Sequence, residues 1–466
     1  MKRYIDKYGA NAQLLFKALF LIHLIFSLNI LIVGTAVSKL VLAASVLVGV
    51  VVLFTRLFEI KQIIRSFEGA VLILFIISYI VSVLVNIRYG FMSGAKYFIW
   101  FCLLMGGVFW INRNTDRKMV YREFIILGII LIVITTIMNL VNIGLLIEKY
   151  SSIYASADGN YYVMGYASWG RLYGIYTDPN YGSVISSVAV VSALFCFLST
   201  RSNVLRVLFA ISVIPNFFYC SFSASRTGNI TMMLGIAVFL FIFLIRKFGK
   251  MYLLKSAAVS VCAAVVSVIM FNGIQTGYNS IQKHISQSIS SSQTNTDITD
   301  SEPEDAPTIG RTEEELQGDI SNRRFDIWNS GFEIFKKNPV FGIGWNNTVA
   351  YVSENIPDSY MLGDINGLAN FDVFHNSFID VFVFQGLTGG VIMLALIVYV
   401  LILLVKETAA RKYEPKYFAL SVATVLLCVF SGCVLSVLVY FNNAISYLFW
   451  LFLGYIIYFY KVKEEA

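Results

Sequence analysis

The chain has 466 residues, 58% of them hydrophobic and only 14% charged, with a mean hydropathy of +0.72. A soluble domain carries about 45–50% apolar and about 25% charged residues. This composition therefore excludes an ordinary soluble enzyme, a disulfide-stapled secreted domain and a disordered chain, and it points to an all-α, polytopic transmembrane helical bundle.

Apolar runs of bilayer-crossing length lie near residues 15–34, 36–55, 69–86, 92–111, 123–142, 181–199, 207–222, 229–245, 256–271, 377–405, 417–437 and 441–460. They are continuous rather than alternating, which excludes a β-barrel. The run at 377–405 is too long for one straight crossing, and Gly386, Gly389 and Gly390 predict a short lead-in helix before the true span. The first run is long enough to stay as an anchor, and no small-residue cleavage site follows it.

Charge sets the expected orientation. With the N-terminus inside, 23 of the 35 Lys and Arg residues fall on the cytoplasmic side, Lys17 among them, against nine of the 28 acidic residues. The formal +7 thus divides into +14 inside and −7 outside, as the positive-inside rule requires. Both termini are then cytoplasmic. The six cysteines (Cys102, Cys196, Cys220, Cys262, Cys428, Cys433) fall within apolar runs without a CxxC pair, so packing is their expected role.

Three regions follow: a bundle of nine spans over 1–271 with an outer loop at 143–180, a large extracytoplasmic loop over 272–376, and three C-terminal spans over 377–466. Within the large loop, 284–320 is Ser/Thr-rich and acidic and reads as disordered; no function is argued for its acidic part, 297–319. Residues 321–338 read as a helix capped by Ser321 or Asn322, with Phe325, Trp328, Phe332 and Phe335 at helical spacing. That helix suits the membrane interface or the core of a small cap equally. Pro339 ends it, and Gly342 and Gly344 turn the chain. Cytoplasmic loops are short and no GxxxxGK[ST] or GxGxxG occurs, which argues against nucleotide-driven chemistry.

Few residues outside the spans can carry chemistry. Of three histidines, His23 lies in the first span, His284 in the expected disordered stretch, and His375 in VFHNSFIDVF, where the large loop re-enters the membrane. Arg171 stands in GRLYGIYTDPNYGS, Arg226 in SASRTGN, and Arg324 opens RFDIW. Guanidinium groups at a bilayer surface bind phosphate by forked hydrogen bonds. A lone arginine there snorkels to lipid phosphate, but three set among Gly, Ser, Asp and Asn, with a histidine, read as a site for an anionic head group.

The pattern R-x4-W, NPVFGIGWNN, FHNSF and QGLTGG, preceded by Arg171 with Gly174 and Asp178-Pro179-Asn180 and then Ser225-Arg226, resembles the O-antigen polymerase and ligase family. The order of motifs, the twelve spans and the long loop before the tenth span agree with it, from about residue 165 to 405. The resemblance implies a GT-C-like integral membrane glycosyltransferase acting on undecaprenyl-pyrophosphate-linked oligosaccharides, as donor and acceptor, at the outer face of the bacterial plasma membrane. It implies metal-independent, inverting transfer with no cofactor. By position, Arg171 and Arg226 would bind the pyrophosphate, with Arg324 as a further anion contact. His375 would be the general base, and Asp178, Asn180 and Asn376 would support the site. The implied product is a capsule, exopolysaccharide or O-antigen chain. A flippase and a chain-length regulator are conceivable partners, and no nucleic acid is expected. Two alternatives stand beside polymerisation: a ligase moving finished glycan to another acceptor, and a lipid-linked oligosaccharide flippase. The second calls for ionisable residues deep in the spans and matching broken helices in two halves, whereas the spans read as nearly charge-free at their centres.

Overall fold

The computed structural model describes residues 2–167, 169–293, 309–310, 323–363, 371–410 and 414–464. The first half comprises α1 (Lys2–Phe26), α2 (Ala36–Arg56), α3 (Ile60–Arg65), α4 (Phe67–Val85), α5 (Ile87–Cys102) and α6 (Arg117–Ile147), then strands β1 (Ser151–Ala155), β2 (Tyr161–Ala167) and β3 (Arg171–Gly174). There follow α7 (Pro179–Ser199), α8 (Asn203–Phe222), α9 (Arg226–Phe248), α10 (Leu253–Gln293), α11 (Arg324–Lys337), α12 (Thr348–Asn355), α13 (Ser377–Ala410), α14 (Pro415–Gly432) and α15 (Ala444–Glu464). Among the described residues, twelve helices are long and apolar enough to cross a membrane. The chain is an all-α polytopic membrane protein.

Small residues let the central helices approach closely. A Cβ on Gly228 of α9 would lie 2.1 Å from the Ser183 Cβ of α7, and one on Gly235 would lie 2.9 Å from Leu427 of α14. Helix α7 packs on α6, α8, α9 and α14 and presents buried Gly182, Ser183, Ser186, Ser187 and Ser192 between its aliphatic residues. Each of these serines that bonds its own helix does so to the carbonyl four residues back, as Ser183 does to Pro179 and Ser186 to Gly182.

Several expectations are corrected. The first helix stops at Phe26, not near residue 34, because the next stretch is held by another loop: Ile30 N–H donates to Ile175 O at 2.9 Å and Thr177 N–H to Leu28 O at 2.9 Å. Helix α14 ends at Gly432 rather than near 437, so Cys433 lies beyond it and is exposed. The outer loop expected at 143–180 is not plain loop. It begins with the end of α6 and then forms a three-stranded antiparallel sheet, β1-β2-β3, that pairs Ser151 with Gly165 and Ala167 with Arg171.

Residues 284–293, read as disordered, continue α10, which also runs unbroken through the boundary expected at 272. The helix tolerates their polarity because its hydroxyls bond its own carbonyls, Ser280 to Thr276 and Ser288 to His284. Further back, Gln275 Nε2 donates to Ser221 O at 2.6 Å and fastens the helix to the end of α8. Ser321 and Asn322, and the acidic stretch apart from Ile309 and Gly310, lie outside the described residues.

Lys17 is another correction. Counted above with the cytoplasmic charges, it is fully buried in α1, with Nζ 2.7 Å from Glu123 Oε2 of α6. Tyr455 of α15 donates to the same carboxylate oxygen at 2.8 Å, and Tyr447 donates to the Lys17 carbonyl at 2.9 Å. Glu68 of α4 pairs with Lys461 of α15 in the same manner. These charges satisfy one another within the protein, as buried ions must.

The break expected in the tenth span is present at Gly386 of α13, where φ is 65° and ψ −160°. Non-helical backbone at membrane depth persists only where protein satisfies its polar groups, and here the segment after Pro339 does so. Ile343 N–H donates to Val383 O and Gly344 N–H to Phe384 O, while Leu387 N–H donates to Pro339 O and Thr388 N–H to Val340 O, at 2.7–3.2 Å. Ser82 Oγ adds a bond to Phe384 O at 2.6 Å, and Asn86 Nδ2 one to Gly342 O at 3.0 Å. A Cβ on Gly386 would lie 2.4 Å from the Val340 carbonyl, and one on Gly342 would lie 2.4 Å from Val383 O. Gly386→Ala is therefore expected to cost more than about 2 kcal/mol through strain at positive φ and loss of these bonds. The check is a lowered midpoint of thermal unfolding in detergent. An unchanged midpoint would contradict the lacing.

Candidate active site

The site is built from helix starts at one end of the bundle. Asp178 caps α7: its Oδ1 accepts from Asn180 N–H at 2.6 Å and Tyr181 N–H at 3.2 Å, and Pro179 takes the first helical position, where no N–H is needed. Ser225 caps α9 through Gly228 N–H at 3.0 Å, which makes Arg226 the first residue of that helix. Arg324 is the first residue of α11. Asn376 Oδ1 accepts from Phe378 N–H at 3.0 Å and Ile379 N–H at 3.2 Å at the start of α13, one residue after His375.

These starts are joined directly. Arg171, the first residue of β3, donates from Nε to Ser223 O at 3.0 Å and from Nη2 to Asn180 Oδ1 at 3.1 Å. Ser225 Oγ donates to the same Asn180 oxygen at 2.8 Å. One arginine thus clamps the turn between α8 and α9 onto the first turn of α7. Helix α11 docks on the His375 segment: a Cβ on Gly331 would lie 2.9 Å from the Phe374 ring and 3.0 Å from Ile379. The face that docks is Ile327, Ser330, Gly331 and Ile334, while Phe325 and Phe332 of the expected aromatic stripe are exposed.

Electrostatics show that the two halves meet. The Arg324 guanidinium is held below its usual range by burial, then by Arg226 and more weakly by Arg171, with Asp178 opposing. The His375 imidazole is likewise pushed down by burial and by Arg324, and Asp178 pulls it back. Arg171, Asp178, Asn180, Arg226, Arg324 and His375 therefore share one cluster, although 204 positions separate the first from the last. Among the described residues, and with His375 neutral, three guanidiniums and one carboxylate make up the charges of this cluster, a net +2. Such a cluster favours an anion both by charge and by the N-terminal dipoles of the helices that open onto it. A neutral imidazole can accept a proton.

Asn376 is not aimed into the cluster. Its Nδ2 donates to Cys433 O at 2.9 Å, and its oxygen serves as the cap described above. It orients the start of α13. Backbone conformation adds to the picture: Ala224, Arg323 and His375 have φ of 48°, 62° and 48°. Non-glycine residues in this region are strained by about 1–3 kcal/mol each and gather at functional sites. Here each sits one or two residues before a helix that opens on the cluster.

Some supporting residues escape sequence reasoning. Asp380 is buried and accepts Phe374 N–H at 3.1 Å, which closes the turn that carries His375. Below β3, Asn142 Oδ1 accepts Ile175 N–H at 2.8 Å, and Asn139 Nδ2 donates to Ser186 and Asn216 at 2.9 Å. Asn139 and Asn142, one turn apart in an apolar span, were the available signal. From Ser377, beside His375, an apolar cleft of about 210 Å³ runs down α13 between α14 and α15, past Met393, Val400, Leu404, Val429 and Leu453.

The fold and the cluster define a polytopic helical membrane protein with a group of basic residues gathered at helix starts. Residues 211–394 match the family model described as O-Antigen ligase. That match supports an O-antigen ligase and polymerase type of family, whose members are membrane glycosyl-transfer enzymes working on lipid-linked glycans. The matched stretch contains Arg226, Arg324 and His375, while Arg171 and Asp178 precede it. No curated protein matches the chain.

Proposed function

We propose that the chain is a GT-C-type polysaccharide polymerase, joining undecaprenyl-pyrophosphate-linked oligosaccharide repeats on the extracytoplasmic face of the plasma membrane. The gathering of Arg171 and Arg226 around Arg324, which in turn lies beside His375, carries this reading. In the reaction, an acceptor hydroxyl attacks the anomeric carbon of the donor sugar from the side opposite the phosphate, so the configuration inverts. The bond from that carbon to the phosphate oxygen breaks, and the electron pair leaves with the pyrophosphate. Fixed guanidiniums and helix N-termini stabilise charge where it develops. His375 takes the hydroxyl proton. The energy arrives in the glycosyl–phosphate bond, which agrees with short cytoplasmic loops and no nucleotide motif. The apolar cleft that starts at Ser377 suits a lipid-linked substrate. The excess of Lys and Arg in the loops at the opposite end supports an extracytoplasmic site.

Deleting the gene and sizing the surface glycan tests the proposal. Loss of polymerase leaves single repeats and no ladder. A ligase defect instead leaves polymer on its lipid, and a flippase defect leaves repeats trapped inside the cell. Unchanged glycan would refute the reading.

A further inference from the structure

The sheet places an exposed indole, Trp169, and a half-buried phenol, Tyr173, beside the arginine cluster. Trp169, in the turn between β2 and β3, keeps 47% of its surface exposed. Its ring stands perpendicular to that of Tyr173, with centroids 6.1 Å apart. The Arg171 guanidinium lies over the Tyr173 ring at 5.9 Å. Trp169, Tyr173 and Arg171 thus form one continuous surface that leads into the cluster.

The turn is held from outside. Gly170, at φ 80°, accepts Gly310 N–H at 3.1 Å, and a Cβ on Gly170 would lie 2.1 Å from Gly310 O. Asn279 of α10 grips the neighbouring Ile309 by both backbone groups, N–H at 2.8 Å and C=O at 2.7 Å. A half-exposed indole on so fixed a turn is a prepared surface rather than a loose end.

We propose that Trp169 and Tyr173 form a ledge for the donor's first sugars, a reading that rests on the function proposed above. The occupant follows from the anion. A sugar bonded to a phosphate held at Arg171 must lie immediately beside that guanidinium, where these rings are. The C–H face of a pyranose is apolar and slightly positive, and it packs on the negative face of an aromatic ring. The ledge makes Trp169 a specificity-determining residue that recognises glycan and not lipid or phosphate.

The test uses the full-length protein in nanodiscs and two probes. One is undecaprenyl pyrophosphate without sugars; the other is the lipid-linked repeat purified from cells that lack this chain. Trp169→Ala is expected to weaken the sugar-bearing lipid by about tenfold while leaving the sugarless lipid within about twofold, and Trp169→Phe should keep most of the affinity. Retained binding of the sugarless lipid shows that the variant is folded. Equal losses for both lipids, or no loss for either, would overturn the ledge. The Arg171→Ala/Arg226→Ala double variant separates the two layers. If it binds both lipids as the wild type does, the pyrophosphate reading falls, and the ledge falls with it. If it loses both while Trp169→Ala changes nothing, only the ledge falls.

Discussion

Replacing Arg226 by alanine in protein reconstituted into vesicles is expected to lower kcat/KM for the lipid-linked donor about 100- to 1,000-fold, the cost of removing one preorganised donor from developing negative charge. Arg226 opens α9, so its charge and the dipole of that helix act on the same oxygens. Lysine at this position should recover only part of the loss, because an ammonium lacks the forked geometry. Arg171→Ala should fall at least as far and should also loosen the fold, since the side chain bridges Ser223 and Asn180. The double variant should lose less than the product of the single losses, because the two arginines act as a unit. Radiolabelled product formation from purified donor measures all four. Wild-type turnover by Arg226→Ala would remove the pyrophosphate assignment.

The second expectation concerns His375. His375→Gln should lower transfer about 100- to 10,000-fold while donor binding stays intact, which separates a base from a binding residue. The pH profile gives a sharper test. Burial and then Arg324 depress the imidazole, and Asp178 raises it. The base is lost as pH falls through the depressed value, so wild-type activity should persist below the ordinary histidine range, near 6.5. Removing the Arg324 charge, as in Arg324→Gln, lets the imidazole rise and should move the acid limb to higher pH. Asp178→Asn withdraws the opposing influence and should move it to lower pH. A limb that ignores both substitutions would mean that another group is the base.

The spans were legible because bilayer thickness imposes a length that apolar runs reveal, and Gly386 was legible because glycine clusters are rare inside a span unless the helix breaks. The clustered arginines stood out for a related reason: in loops that are acidic and poor in basic residues, each guanidinium needs a cause. What stayed hidden depended on partners distant in sequence. Lys17, near the start of the first apolar run, counts as a cytoplasmic-side charge until Glu123 is placed beside it. Asp380 looks peripheral until the Phe374 amide is found on it. The sheet over 151–174 escaped because its tyrosines and glycines do not alternate cleanly and Tyr166 follows a register shift. The end of α10 escaped because a Ser- and Gln-rich helix, held by its own hydroxyls and by Gln275, has the composition of a linker.

The buried Lys17 bears on how the protein is made. Its carboxylate partner lies 106 residues later in the chain, and the phenol that completes the triad lies a further 332 beyond that. At about 5–20 residues per second of synthesis, α1 waits roughly 5–20 s for Glu123 and several times longer for Tyr455. Throughout that interval Lys17 lacks the partners that accompany its buried charge in the folded protein. Helix α1 is thus made well before its partners, and a chain cut short before α15 leaves that ion pair without its third member. Such truncated chains should be conspicuous substrates for membrane proteases, which would make the last helix a checkpoint for the whole assembly.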